Sequence, residues 1–154
     1  MFILVLTTRL LSSLNKINMS KTETKTKIIA SAIGRRKRAV ASVRLIAGNG
    51  EIEINGIQSG QYFPGEQSRI KLQRPFAVTG MDKYAVTAKA MGGGLGGQLD
   101  AVVLGIARSL SQIKQEFKTA LRGAGLLTRD ARKRQRRMVG TGGKARRQKQ
   151  SPKR

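Results

Sequence analysis

Apolar and polar positions change period several times along the chain, and each change marks an element. Residues 27–57 carry a β pattern. Ile28, Ile29 and Ile33 form one short apolar run. Residues 39–46 then alternate, with Ala39, Ala41, Val43 and Leu45 on one face and Val40, Ser42, Arg44 and Ile46 on the other, the mark of a strand with at least one buried face. Gly48-Asn49-Gly50 predicts a hairpin turn, because Asn-Gly accepts positive φ. The return strand runs from Glu51 to Ile54, with Ile52 and Ile54 on one side and two carboxylates on the other. Asn55-Gly56 ends it.

Residues 58–79 predict short helices and turns. Tyr62, Phe63 and Pro64 make an apolar corner. Between residues 66 and 76, Ile70, Leu72 and Phe76 are interleaved with Arg69, Lys71 and Arg74, so one face packs and the other stays basic. Pro75 is expected to end or kink that helix. Residues 83–91 alternate again, with Tyr84, Val86, Ala88 and Ala90 facing one way. The best-defined element follows. Leu99, Val103, Ile106, Leu110, Ile113 and Phe117 recur at spacings of four and three, an apolar stripe on a helix. Ala101, Gly105 and Ala107 allow that helix to approach a sheet closely. A second helix is expected over residues 116–121, closed by Gly123 and Gly125, with Leu126 and Leu127 packing back on the core.

Charge changes this picture from an ordinary domain to a polyanion binder. The 154 residues hold 31 Lys+Arg against 8 Asp+Glu, a formal net charge of +23, which points to nucleic acid or an anionic membrane. The apolar run at residues 2–6 is far too short to span a bilayer. With no cysteine and no histidine, disulfides, thiolate metal sites and the commonest general base are excluded; no catalytic residue, metal or cofactor is expected. Glu51 and Glu53 are a same-face carboxylate pair, and they read as a solvated strand face rather than as acid–base machinery, since no histidine or metal ligand accompanies them. Aromatics are 4% of the chain, so base stacking is not the main binding mode.

The cations are gathered in two places. Residues 128–154 hold Arg129, Arg132, Lys133, Arg134, Arg136, Arg137, Lys144, Arg146, Arg147, Lys149, Lys153 and Arg154, with Asp130 as the one acid. Such a stretch buries too little apolar surface to offset its ordering entropy, so it is expected to be an extended basic tail that orders on RNA. Arg35, Arg36, Lys37 and Arg38 sit at the junction of the first two strands. A nuclear import signal and a solvated charge run are alternatives there, and phosphate contact is favoured beside so basic a tail.

The glycine run Gly92, Gly93, Gly94, Gly96 and Gly97, followed by Gln98, fits G-x-G-x-x-G through Gly92, Gly94 and Gly97. A dinucleotide fold needs further parallel strands after it, which the sequence does not offer. Gln98 and Leu99 stand where a phosphate-binding P-loop requires Lys and Ser/Thr. A tight strand-to-helix turn is the structural reading, compatible with a backbone-amide nest for an RNA phosphate. The lead-in, residues 1–27, is expected to be disordered. Its first 18 residues carry Arg9, Lys16 and no acid, which allows a transit peptide, but a true start at Met19 is favoured.

Residues alone therefore define an RNA- or DNA-binding α/β domain with a basic tail. Four motifs carry a resemblance further: GRRKRAVASVRL from Gly34, GNGEIEING from Gly48, GGGLGGQLDAVVLGIARSL from Gly92 and LLTRDAR from Leu126. Together they resemble the bacterial-type small-subunit ribosomal protein S-nine family, over residues 28–154. The resemblance implies an α+β fold, a β-sheet covered by helices of the ribosomal S-five second-domain type, over residues 28–127, with the basic tail at 128–154. It implies a non-enzymatic structural constituent of the small subunit, in cytoplasmic or organellar ribosomes. Expected partners are small-subunit rRNA, neighbouring head proteins and peptidyl-site tRNA, with no membrane and no small-molecule substrate. The rRNA contacts would fall on Arg35 to Arg38 and the tail cations, and the tRNA contact on Lys153 and Arg154. Gln150-Ser151-Pro152 departs from the aromatic and serine usual before the terminal Lys-Arg, and Pro152 removes a backbone donor there. Two other classes remain as alternatives: a free nucleic-acid chaperone or chromatin-like protein, and a nucleotide-using enzyme built on the glycine turn.

Overall fold

Strand alternation decides which way each side chain faces, and pairing decides where each strand lies. The computed structural model describes residues 28–81 and 83–136. Its elements are β1 (Ile28–Arg36), β2 (Ala39–Ala47), β3 (Ile52–Ile54), β4 (Ile57–Gln58), α1 (Ser59–Tyr62), α2 (Glu66–Thr79), β5 (Tyr84–Met91), α3 (Leu95–Ile113) and α4 (Gln115–Gly123). The strands form one mixed sheet in the order β1-β2-β5-β3-β4. β2 runs antiparallel to β1 and to β5, β3 runs parallel to β5, and β4 closes the far edge antiparallel to β3. The class is α+β.

Ala39, Ala41, Val43 and Leu45 of β2 and Val86, Ala88 and Ala90 of β5 line the buried face. α3 packs across β1 and β2 on that side, and Val102, Ile106, Leu110 and Leu121 complete one core with Leu72 and Phe76 of α2. The opposite face carries Ile33, Val40, Ser42, Arg44, Lys89 and Met91, all exposed. The isoleucine run of β1 thus faces away from the core: Ile28, Ile29 and Ile33 are exposed, while Ala30 and Gly34 are buried. The cause lies in α3. A Cβ on Gly34 would collide with the Ala101 carbonyl, and one on Gly105 would come within 2.5 Å of Val43 Cγ2. Strand and helix cross almost backbone to backbone, and only small residues fit between them.

Three expectations are corrected, that for Pro75 only as to ending the helix. Gly48-Asn49-Gly50 does not join neighbouring strands, because β5 lies between β2 and β3. The turn passes over the end of β5, with the Gly48 N–H donating to the Lys83 carbonyl at 3.2 Å. The hairpin belongs to Asn55-Gly56, where both φ values are positive (53° and 80°) and Ile54 pairs with Ile57. This is the geometry that suits a two-residue turn. Pro75 neither ends α2 nor lies at its rim; it is buried inside the helix, which runs on to Thr79 and closes at Gly80 in the left-handed region. Burial of Leu72, Pro75 and Phe76 on one stripe offsets the missing backbone donor. Ile70, expected on the packed face, is exposed.

The stripe drawn from Leu99 to Phe117 is broken: α3 ends at Ile113, and Phe117 lies on α4, beyond the extended backbone of Lys114. The end of α4 matches the reading more closely. α4 finishes in a Schellman motif: the Leu126 N–H donates to the Leu121 carbonyl and the Gly125 N–H to the Arg122 carbonyl, both at 3.0 Å, with Gly125 at φ 72°. Leu126 and Leu127 fold back against the core.

Candidate nucleic-acid interface

The basic run becomes a tight hairpin. β1 ends in Arg35 and Arg36, Lys37 and Arg38 form the turn, and Arg36 pairs with Ala39 in register. Lys37 sits at φ 52°, a conformation that costs a non-glycine residue about 1–2 kcal/mol. Arg35, Lys37 and Arg38 are exposed. Arg36 is different, because a strand's period of two turns it to the helix side.

The Arg36 side chain is only 16% exposed and meets two carboxylates: Asp100 of α3 at 3.5 Å and Asp130 at 2.8 Å. It also donates to the Arg132 carbonyl at 3.2 Å. Asp130 in turn accepts from the Arg132 backbone N–H at 2.9 Å and holds the Arg132 guanidinium at 2.7 Å. The hydrogen bonds from the Arg132 side chain, then its backbone N–H, with the positive charges of Arg132 and Arg36 beside them, hold the Asp130 carboxyl well below the usual carboxylate range. The same partner raises Arg132. Three segments distant in sequence are thus tied together: the end of β1, the first turns of α3, and the start of the basic C-terminal stretch. Arg129, Arg132, Lys133, Arg134 and Arg136 are exposed along that stretch. Arg137, Lys144, Arg146, Arg147, Lys149, Lys153 and Arg154 lie outside the described residues.

The glycine turn is the seat of the hairpin. Gly92 and Gly93 take φ of 72° and 64°. A Cβ on Gly92 would stand 2.8 Å from the Arg38 carbonyl oxygen, and Gly97 lies against Ala39 and the Arg36 carbonyl. Gly94 is the N-cap of α3, and the Gly97 and Gln98 N–H groups donate back to its carbonyl at 2.9 and 3.0 Å. Those two amides are occupied within the turn and do not belong to an anion nest. Gln98 stitches the turn shut: its Nε2 donates to the Gly92 carbonyl at 3.1 Å, and its Oε1 accepts from the Tyr62 hydroxyl at 2.9 Å. Asn55 extends the β3–β5 ladder through its side-chain amide, accepting from the Ala90 N–H and donating to the Ala90 carbonyl, each at 3.0 Å. β5 has antiparallel β2 on one flank, and α3 leads into α4, so the turn is not part of a dinucleotide βαβ unit.

Sequence reasoning missed Asp100 and Asp130 as organisers. The available signal was the isolation of Asp130, since an acid kept alone among cations is easily paired by its neighbours. Glu51 and Glu53 are exposed and line a groove of about 1130 Å³ with Glu66 and Arg69. Among the described residues no acid cluster has metal-ligand geometry, and no helix is long and apolar enough to cross a membrane.

These features define a class of protein: a mixed-sheet α+β domain that seats a basic hairpin on a glycine turn and ties it to the root of a basic C-terminal stretch. The family model "Ribosomal protein S9/S16" matches residues 34–154, and the chain belongs to that family. It is a ribosomal protein of the small subunit, a structural constituent of the ribosome acting in translation. The family is typically non-enzymatic.

Proposed function

We propose that the chain holds small-subunit rRNA in the subunit head and extends its tail toward peptidyl-site tRNA. The carrying observation is the joint surface of hairpin and tail root. Arg35, Lys37, Arg38, Arg129, Lys133, Arg134 and Arg136 are exposed on it, while the nearby acids are engaged by Arg36 and Arg132. RNA phosphates approaching this surface replace counterions with fixed cations. Arg36 serves from behind, aligning the hairpin and the tail root. The tail cations from Arg137 to Lys149 continue the rRNA contact, and Lys153 and Arg154 meet tRNA. The helix-covered sheet is in keeping with an S-five second-domain arrangement. Neighbouring head proteins are further proposed partners, and cytoplasmic ribosomes the proposed setting.

Reach supports the division of labour. Residues 130–154 extend at most about 80–90 Å at roughly 3.3–3.6 Å per residue, far enough to leave the domain's own rRNA site. A charged phosphate contact contributes about 1.5–3 kcal/mol before screening. Deleting Lys153 and Arg154 should therefore weaken peptidyl-site tRNA binding several-fold and leave subunit yield near normal. Replacing Arg35, Lys37 and Arg38 with Ala should lower subunit yield first. Filter binding of tRNA to purified variant subunits, with yield measured in parallel, checks both. Unchanged tRNA affinity after the deletion removes the tRNA role. A free nucleic-acid chaperone is the competing reading, and failure to co-sediment stoichiometrically with small subunits would favour it.

A further inference from the structure

A second concentration of positive charge lies behind the hairpin. A cavity of about 420 Å³ opens between the end of β1, α2, the start of α3 and the tail root. Arg35 at the end of β1 and Lys71 and Arg74 on α2 are among its lining residues. Lys71 and Arg74 are three residues apart on α2 and so share a face, and the buried Leu72, Pro75 and Phe76 fix that helix to the core. Two acids also line the cavity, Asp100 and Asp130, and both are paired with Arg36. Among the described residues, Arg35, Lys71 and Arg74 form no ion pair. Four cations and two carboxylates therefore line a concave site, where the field of unpaired charge is focused. Bringing these cations together costs repulsion that an anion relieves. The volume greatly exceeds the roughly 30 Å³ of one water and accommodates a phosphodiester with part of its hydration.

We propose that this cavity seats a backbone phosphate of rRNA, with Lys71 and Arg74 as its donors and Arg35 at its mouth. The proposal rests on the rRNA-binding reading and adds a site to it. Continuity favours RNA over a free anion. Arg35 belongs both to the hairpin surface and to the cavity, and Thr128 and Asp130 of the tail root form its opposite wall. A strand lying on the hairpin is thereby led between the helix layer and the departing tail. Guanidinium groups grip phosphate oxygens in pairs.

The test compares two full-length double variants with the same loss of charge. Lys71→Ala/Arg74→Ala empties the cavity of two donors and leaves the hairpin intact. Arg69→Ala/Lys118→Ala removes cations that do not line it. Lys71, Arg74 and Arg69 are exposed and Lys118 is partly so, and circular dichroism confirms that each variant folds. Binding to a transcribed head domain of small-subunit rRNA is measured over a range of salt. The cavity variant should bind about tenfold or more weakly and flatten the plot of log K against log salt by about one to two. The control should change less than about twofold. Equal losses in the two variants, or none in the cavity variant, overturn the proposal. Absence of binding by the unaltered protein would instead sink the rRNA-binding reading itself. In a second arm, Lys71 should be protected from acylation by the rRNA fragment and not by millimolar inorganic phosphate. Equal protection by phosphate alone assigns the cavity to a free anion and overturns the RNA assignment.

Discussion

At Gly34 the spacing between strand and helix is set by a missing methyl group. The atoms that an added Cβ would meet are backbone, the Ala101 carbonyl and the Gly105 nitrogen, and backbone in a packed helix does not yield. Gly34→Ala should therefore destabilise the protein by about 3 kcal/mol or more, at the upper end of overpacking costs. Gly105→Ala meets the buried, β-branched Val43 side chain, which has little room to turn; the helix gains about 1 kcal/mol of propensity, so its net cost should be smaller than that of Gly34→Ala, about 1–2 kcal/mol. Urea denaturation of both variants gives the ordering. Asp130 offers a second residue-scale test. Its folded carboxyl is held below the usual range, so the clamp's stabilisation is fully present above the unfolded value of about 3.9. It declines as pH falls from there toward the lower folded value. Carbon-detected NMR should find the Asp130 carboxylate still ionised at pH 3. A midpoint near 4 would show that the clamp does not form in solution.

Among the elements, those with unbroken patterns were legible in the sequence. The alternation of β2 and β5 and the stripe of α3 located the buried faces, because burial on one face forces the period. Neighbour relations were not legible. Alternation reports which face is buried and is silent about which strand lies alongside, so Asn49-Gly50 and Asn55-Gly56 looked alike although only the second closes a hairpin. Ile33 shows a related limit: hydrophobicity marks core only where there is room, and beside α3 there is none. The stability cost should follow burial rather than residue type. Leu110→Ala, at a fully buried position, should cost about 2–5 kcal/mol, and Ile33→Ala about 0.5 kcal/mol or less. Thermal or chemical denaturation of the pair checks this. At the candidate site, the exposed cations of the hairpin and of residues 129–136 stand in the sequence as charge runs. The inward turn of Arg36 and its two acid partners depended on contacts across 64 and 94 positions, which no local pattern records.

For the whole molecule, net charge and its placement govern how binding responds to the medium. If the hairpin, the tail and the cavity together neutralise about six to ten phosphates, affinity for rRNA should fall by roughly 10³–10⁵ between 50 and 200 mM salt. Filter binding across that range checks the count. A loss of less than tenfold would mean that most of the cations stay in water. The fold divides the labour: one sheet face and the helices bury the apolar residues, and the hairpin, the tail root and the surface of α2 carry the charge.

The slot that β5 fills also has a consequence in time. β2 and β3 leave a gap one strand wide between them, and the strand that closes it ends about 37 positions after Ile54. At roughly 5–20 residues per second of synthesis, the nascent chain carries two unsatisfied strand edges for about two to seven seconds. During that interval any extended segment of another chain can take the place of β5. Synthesis of residues 55–91 is thus an interval of exposed strand edges, and a pause in translation before residue 84 would prolong it.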